Sequence, residues 1–396
     1  MQISQRGQVP SFKVMEIMTR VAQLRAEDRP VISLSAGEPA AGAPADVRQA
    51  AIDVQTSGVH LGYTAIAGRI ELREELVKHY RRWYNLEISA DDIFLTTGAS
   101  GAFVLAFLAA FNAGDRVALA CPGYPAYRNI LQSVDCVPVN LPAGPQSRFQ
   151  PTVESLEAEV AANGPIKGLI IASPANPTGT MITPEEFTRI SQWCRANKVL
   201  LISDEIYHGI TYPSAPKTLS AWELDRNHLV ISSFSKYWGM PGSRLGWMLV
   251  PQYLQQAVSA LAGNIALCAP RASQLAAVAG FTEASYIEAQ SQVAEYAANR
   301  QMFLAALEQL GFGEPAPADG AFYVYLPLGR LRGYFTDSVE YCAQLLEEKY
   351  VAIVPGLDFD PEYGADSVRI SFAVSQQDMA EAIKRMIEFN AAVMAG

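Results

Sequence analysis

Between residues 46 and 285, short runs of almost unbroken apolar sequence alternate with helical stretches. This alternation narrows the choice of fold more than any other feature of the chain. The apolar, β-rich runs are Ile93–Thr97, Arg116–Ala120, Gly168–Ala172, Val199–Ser203, His228–Ser233 and Leu245–Val250. Helical stretches such as Gly101–Phe111, Pro184–Asn197 and Gln252–Ala262 separate many of them. A strand without a polar face must be covered on both sides. The pattern therefore predicts an α/β fold with a mostly parallel sheet sandwiched by helices. The flanks read differently. Residues 1–45 form an arm with a short helix, Lys13–Ala26, and an extended run from Val31. A long helical stretch, Ala284–Leu310, stops at Gly311 and is placed to bridge two domains. After it come Ala321–Leu326, Ser338–Lys349, Ser367–Phe372 and Gln377–Ala392, an α+β pattern. The expected organisation is an arm (1–45) joining the small domain, a large domain (46–285), and an interdomain helix with a small C-terminal domain (286–396).

Composition removes several classes of function. Half of the 396 residues are hydrophobic, which fills a large core and excludes a disordered chain. A net charge of −10 argues against a basic surface for nucleic acid or membrane. The longest apolar run, Ala102–Phe111, is about half of what a bilayer requires. No apolar leader follows Met1, and the five cysteines have no close-paired spacing. They read as reduced thiols of a cytoplasmic protein, neither a disulfide framework nor a metal site.

In a sheet of this kind ligands bind beyond the carboxyl ends of the strands. Reactive residues gather there. Lys236 follows one strand, and partial burial with neighbouring cations would lower its pKa and make it a Schiff-base former. Asp204 ends another, where a carboxylate needs a partner such as a protonated pyridine nitrogen. Tyr207 lies three residues on, within reach of the same ring's phenolic oxygen. Gly98-Ala99-Ser100 is a small-residue turn running into a helix, an anion site by its N–H groups and dipole. Ser233, Ser235 and Arg244 add phosphate donors. Asn176 sits in Asn-Pro-Thr-Gly, and Arg369 stands in an apolar strand where a substrate carboxylate would neutralise it. Taken singly, each has a bland reading: a surface lysine, a capping aspartate, a packed tyrosine, an ordinary turn, an internal salt bridge.

Their joint order is more telling. Asp204 follows Asn176 by 28 residues, Tyr207 follows by 3, Lys236 by 29 and Arg244 by 8, with Arg369 near the C-terminus. Together with SAGEP (35–39), GYTAIAGRIELRE (62–74), TTGAS (96–100), PGYPAY (122–127), SPANPTG (173–179), SDEIY (203–207), SFSK (233–236), SRLGW (243–247) and RISFA (369–373), the chain resembles the class I/II aminotransferases. These are fold-type I pyridoxal-phosphate enzymes of the aspartate aminotransferase superfamily, and the resemblance spans essentially the whole chain.

The resemblance implies that Lys236 carries pyridoxal 5'-phosphate as a Schiff base and moves the substrate α-proton. It implies that Asp204 pairs with the pyridine nitrogen, that Tyr207 and Asn176 meet the phenolic oxygen, and that Tyr124 stacks on the ring. Gly98, Ala99, Ser100, Ser233, Ser235 and Arg244 would hold the phosphate. Tyr63 would reach the neighbouring subunit's phosphate, which calls for a homodimer with shared sites. Arg369, with Asn176 and the Gly37 backbone, would bind the substrate α-carboxylate. The implied activity is ping-pong transamination between an L-amino acid and a 2-oxo acid in amino-acid metabolism, a biosynthetic process. A pyridoxal-phosphate carbon–sulfur β-lyase or related synthase is the alternative on this fold. A transcription regulator with an aminotransferase-like sensor domain would need a DNA-binding segment ahead of the arm. Ser100 stands where some aspartate-specific relatives have a lysine, and Ala175 replaces a common asparagine. The first departure predicts a neutral or aromatic donor, unless Arg271 receives an acidic side chain.

Overall fold

The computed structural model describes residues 3–395. Its centre is a seven-stranded sheet built from β2 (Ile93–Thr96), β3 (Arg116–Cys121), β4 (Val137–Pro142), β5 (Gly168–Ala172), β6 (Leu200–Asp204), β7 (Leu229–Ser233) and β8 (Gly246–Leu249). The strand order is β2-β8-β7-β6-β5-β3-β4. The pairings β3–β4, β3–β5, β5–β6 and β6–β7 are parallel, whereas β8 runs antiparallel to both neighbours. β2, β7 and β8 are buried throughout, as their continuous apolar sequence requires. The reversal of β8 bears directly on the site. It returns the chain along the sheet, so loop 234–245 closes at the carboxyl end of β7 and carries Lys236 and Arg244 there.

The expected helices are present, with shifted ends. Pro184–Asn197 matches its expected span because its end signals are strong. Thr183 accepts the Glu186 N–H at 3.3 Å, proline opens the first turn with two glutamates, and Lys198 is left-handed at φ 56°. Helix Gly98–Ala110 starts one turn earlier than expected, which brings Ala99 and Ser100 into its first turn. The stretch to Leu310 is divided into Glu283–Ala305 and Leu307–Leu310, then ended by left-handed Gly311. Strand β4 was not foreseen. Its sequence, VPVNLP, holds two prolines and alternates in burial, which only an edge strand tolerates.

A second, antiparallel sheet has the order β11 (Val354–Pro355), β12 (Ser367–Ser371), β9 (Tyr323–Pro327). The short strand β1 (Ile32–Ser33) pairs in parallel with β10 (Val351–Ala352), tying the arm to the C-terminal segment. One apolar cluster runs from Leu34 and Leu76 through Phe234 and Trp247 to Phe322 and Phe389. Each such side chain contributes roughly 1.5–3 kcal/mol of burial. This shared core seats β12 and β9 firmly against the carboxyl edge of the large sheet. Among the described residues no helix is long and apolar enough to cross a membrane.

Candidate active site

A cavity of about 500 Å³ opens beyond the carboxyl ends of β5, β6 and β7. Most of the residues singled out in the sequence meet in it. Gly98 opens its helix at φ +73°, and a Cβ there would lie 2.8 Å from Arg244 Nη2, so the guanidinium rests against the helix N-terminus. A Cβ on Gly246 would likewise approach the Gly98 carbonyl carbon to 2.8 Å, which explains the glycine that begins β8. Arg244 is left-handed at φ 48° and donates from Nη1 to the Pro241 carbonyl at 3.0 Å. With Ala99, Ser100 and Ser235 it lines one end of the cavity and makes an anion cradle. Ser233 is turned away. Its Oγ accepts the Ser235 N–H at 3.1 Å, and it does not line this cavity.

At the centre, Asp204 is fully buried as the last residue of β6. Its Oδ1 accepts the Ile206 N–H at 3.1 Å and its Oδ2 accepts the Tyr127 hydroxyl. Burial pushes its pKa up to about 6, opposed by those two hydrogen bonds and by Lys236. Lys236 Nζ donates to the Gly37 carbonyl at 2.6 Å and lies 5.8 Å from the centre of the Tyr207 ring. Burial, then the Arg369 charge, lower its pKa to about 8, against the pull of Glu38 and Asp204. Tyr207 shares a hydrogen bond with the Tyr323 hydroxyl at 2.9 Å, and burial raises both phenols above the usual range. Tyr124 faces the same space, flanked by Phe12 and by the edge of Tyr127.

At the other end, Arg369 is 4% exposed on β12. It donates from Nη1 to Asn176 Oδ1 at 2.9 Å and from Nη2 to the Ser35 carbonyl at 2.7 Å. Its Nε is buried without a partner. Its guanidinium carbon sits 4.5 Å from the Tyr323 ring centre and 4.9 Å from that of Phe359. Among the described residues, no carboxylate forms an ion pair with it. A buried cation held only by neutral acceptors and aromatic faces calls for an anion from outside the chain.

Besides Ser233, two further residues singled out in the sequence stand apart. Tyr63 is 78% exposed and does not line the cavity. Arg271 opens helix Arg271–Ala277 with its Nε buried and unpartnered, also away from the cavity. Conversely, Tyr127, Tyr323 and Phe359 line the site without having been singled out. Tyr127 carried a signal: three residues after Tyr124, at the start of a helix, it falls on the same face. Tyr323 and Phe359 reach the site through the fold of the tail, which no local motif marks. The arm supplies Val14, Met15 and Met18 to the wall.

Comparison with known proteins identifies the family. The family model for aminotransferase class I and II matches residues 29–386. A valine–pyruvate aminotransferase from Mycobacterium tuberculosis is 47% identical over 387 residues, 97% of each chain. A (5-formylfuran-3-yl)methyl phosphate transaminase from Methanocaldococcus jannaschii is 33% identical, over 96% of each. The crystal structure of an aminotransferase from Mycobacterium tuberculosis superposes with a TM-score of 0.95 at 46% identity, covering 99% of this chain and 100% of that one. A lysine, an aspartate and an arginine converge on one cavity in a chain similar to these proteins along almost its whole length, and the chain belongs to the class I and II aminotransferases as a transaminase.

Proposed function

We propose that this transaminase uses pyridoxal 5'-phosphate and exchanges the amino group of a neutral, apolar L-amino acid with a 2-oxo acid. The observation that carries the reading is Arg369: a buried guanidinium with an unpartnered Nε, facing the same cavity as a low-pKa lysine. The residues present fit the cofactor. Arg244, Ser235 and the amides of Ala99 and Ser100 suit its phosphate, behind which the Gly98 backbone admits no side chain. Asp204 suits a ring N–H, Tyr207 and Asn176 a phenolic oxygen, and Tyr124 a ring face. When bound, the group supplies an aldehyde that condenses with amines and a protonated ring that accepts an electron pair.

The chain's own residues do the rest. Arg369 and Asn176 fix the substrate α-carboxylate and so orient the Cα–H bond. Lys236 Nζ, whose pKa lies near 8, takes the α-proton and in the reverse half-reaction returns a proton to the same carbon of the oxo acid. Asp204 stays ionised above about pH 6, and Tyr127 holds it so by donating to Oδ2. One site alternating between amino and oxo acid gives ping-pong kinetics.

The donor class follows from the charges left over. Among the described residues, the cations lining the cavity are Lys236, Arg244 and Arg369, each with an assigned partner. The wall beyond them is Val14, Met15, Met18 and Ile130, with Glu38 and Asp358 nearby. A distal carboxylate would meet apolar or negative surroundings, at a cost of several kcal/mol. The valine–pyruvate activity named for the relative 47% identical to this chain supports the same class.

The reading includes a homodimer, in which Tyr63 serves the neighbour's phosphate site. Exposed Tyr63, Ile66, Ile265 and Leu267 support it. Residues 64–66 pack on 263–268, as the 3.4 Å contact from the Thr64 N–H to Cys268 Sγ shows, so the apolar groups form one patch. It also includes a cytoplasmic, biosynthetic role, to which the free thiols are suited, and the lobes 46–285 and 286–396 with the arm 1–45 attached to the second. A donor panel tests the substrate reading. In single-turnover half-reactions of the holoenzyme, L-valine and other neutral apolar amino acids should exceed L-aspartate at least tenfold in rate constant over Kd. A preference for aspartate would overturn it.

A further inference from the structure

The arm helix Lys13–Ala26 begins without a cap of its own, because Phe12 at its N-cap has no side-chain acceptor. Its first two amides go to one distant carboxylate. The Lys13 N–H donates to Asp358 Oδ1 at 2.7 Å and the Val14 N–H to Asp358 Oδ2 at 2.8 Å. A negative charge at a helix N-terminus is favourable, and charge-assisted bonds are the stronger kind. Asp358 is itself held. Buried Arg128 donates to the Asp358 carbonyl at 3.1 Å and to the Phe359 carbonyl at 3.2 Å. The Phe359 ring in turn lies against the Arg369 guanidinium. The carboxylate that fixes the start of the arm helix is therefore rigidly connected to the group that fixes the substrate carboxylate.

Apolar packing at this end is light: half-buried Val14 meets the cluster of Tyr325, Val354 and Phe359. The helix buries only Val21 and Leu24, in its second half, against Leu346 and Ala352. Met15 and Met18 stay 52% and 42% exposed. Before the helix there are the Phe12 ring stacked on Tyr124 at 6.5 Å, an Asn129–Pro10 hydrogen bond at 3.3 Å and an exposed Arg6–Asp135 ion pair, a kind that adds little.

We propose that Asp358 is a positioning residue that determines specificity: by tethering the first turn of the arm helix it sets the distance from Arg369 to the apolar wall of Val14, Met15 and Met18. This inference rests on the apolar-donor reading above. With the tether intact, each added methylene of the donor finds a fixed surface. With the tether gone, the wall yields and the gain from longer side chains disappears.

The test measures half-reaction rate constants over Kd in the holoenzyme for L-alanine, L-2-aminobutyrate and L-norvaline. In the wild type each methylene should raise the value about fourfold. Lys13→Pro removes one donor to Asp358 from the arm side. Proline is tolerated at the first helical position, and Phe12, at φ −79° and ψ 131°, already has the backbone that a following proline requires. In this variant L-alanine should remain within twofold of wild type while the gain per methylene falls below twofold. Hydrogen exchange of the 14–18 amides in the apoprotein should accelerate at least tenfold. Asp358→Asn should flatten the series in the same way. A full gain retained in Lys13→Pro despite faster exchange would overturn the proposal, as would unchanged exchange or an equal loss for all three donors. A wild-type series without any gain would instead overturn the apolar-donor reading, and this inference with it.

Discussion

The two ends of the cavity are built in opposite ways. The reacting end, with Lys236, Asp204, Tyr207 and Arg244, hangs on strand ends and turns of one sheet, each supplied by a short contiguous motif. The side-chain end is assembled from the arm helix, residues 358–359 and Ile130 of helix Pro125–Ser133, segments that meet only in the finished fold. Rigid elements suit chemistry, which tolerates little misplacement. A separate, lightly buried arm suits selectivity, because its surface can change without disturbing the sheet. Substitutions at the first end should therefore stop the reaction, and those at the second should redistribute it among donors.

The largest effect is expected at Lys236. Lys236→Ala should lose at least a thousandfold in half-reaction rate, about 4 kcal/mol, because among the described residues no other amine lines the cavity. A rate within tenfold of wild type would place the proton transfer elsewhere. Asp204→Ala should lose on the order of a hundredfold, in the chemical step more than in KM, since the charge it supports develops in the transition state. Unchanged turnover would remove it from the reacting end.

Tyr127→Phe should act through Asp204. The lost hydroxyl held the carboxylate's pKa down, so that pKa should rise and the acid limb of kcat/KM should move to higher pH. The sign follows because activity needs the ionised form, which is lost as pH falls. A limb that stays in place, or moves down, would contradict the bond's role. Smallest should be Val14→Ala, with a loss of a few fold confined to larger apolar donors and L-alanine unaffected. An equal loss for every donor would make the arm a general support of the site and erase the contrast between the two ends.

The same contrast explains what could be read from the sequence. The alternation of strands and helices was legible because β2, β7 and β8 have no polar face, and Pro184–Asn197 because its caps are strong. β4 was not, since its prolines and alternating burial obey edge-strand rules. The residues now gathered at the reacting end were marked by strand-end motifs and by the family resemblance. Ser233 belongs to the same motif as Ser235, yet its hydroxyl serves the loop backbone instead, a choice of rotamer that sequence does not encode. Tyr323 and Asp358 carried no mark, because their partners Tyr207 and Lys13 are distant in the chain, and Phe359 precedes Arg369 in a turn segment that no motif marks.

The most direct test of the whole account is a single addition of L-valine to the cofactor-loaded protein without any oxo acid. One equivalent of 3-methyl-2-oxobutanoate per site should form, with no ammonia, and the reaction should stop until a 2-oxo acid such as pyruvate restores turnover. No oxo acid formed from L-valine, or an arrest that pyruvate does not relieve, would contradict the account.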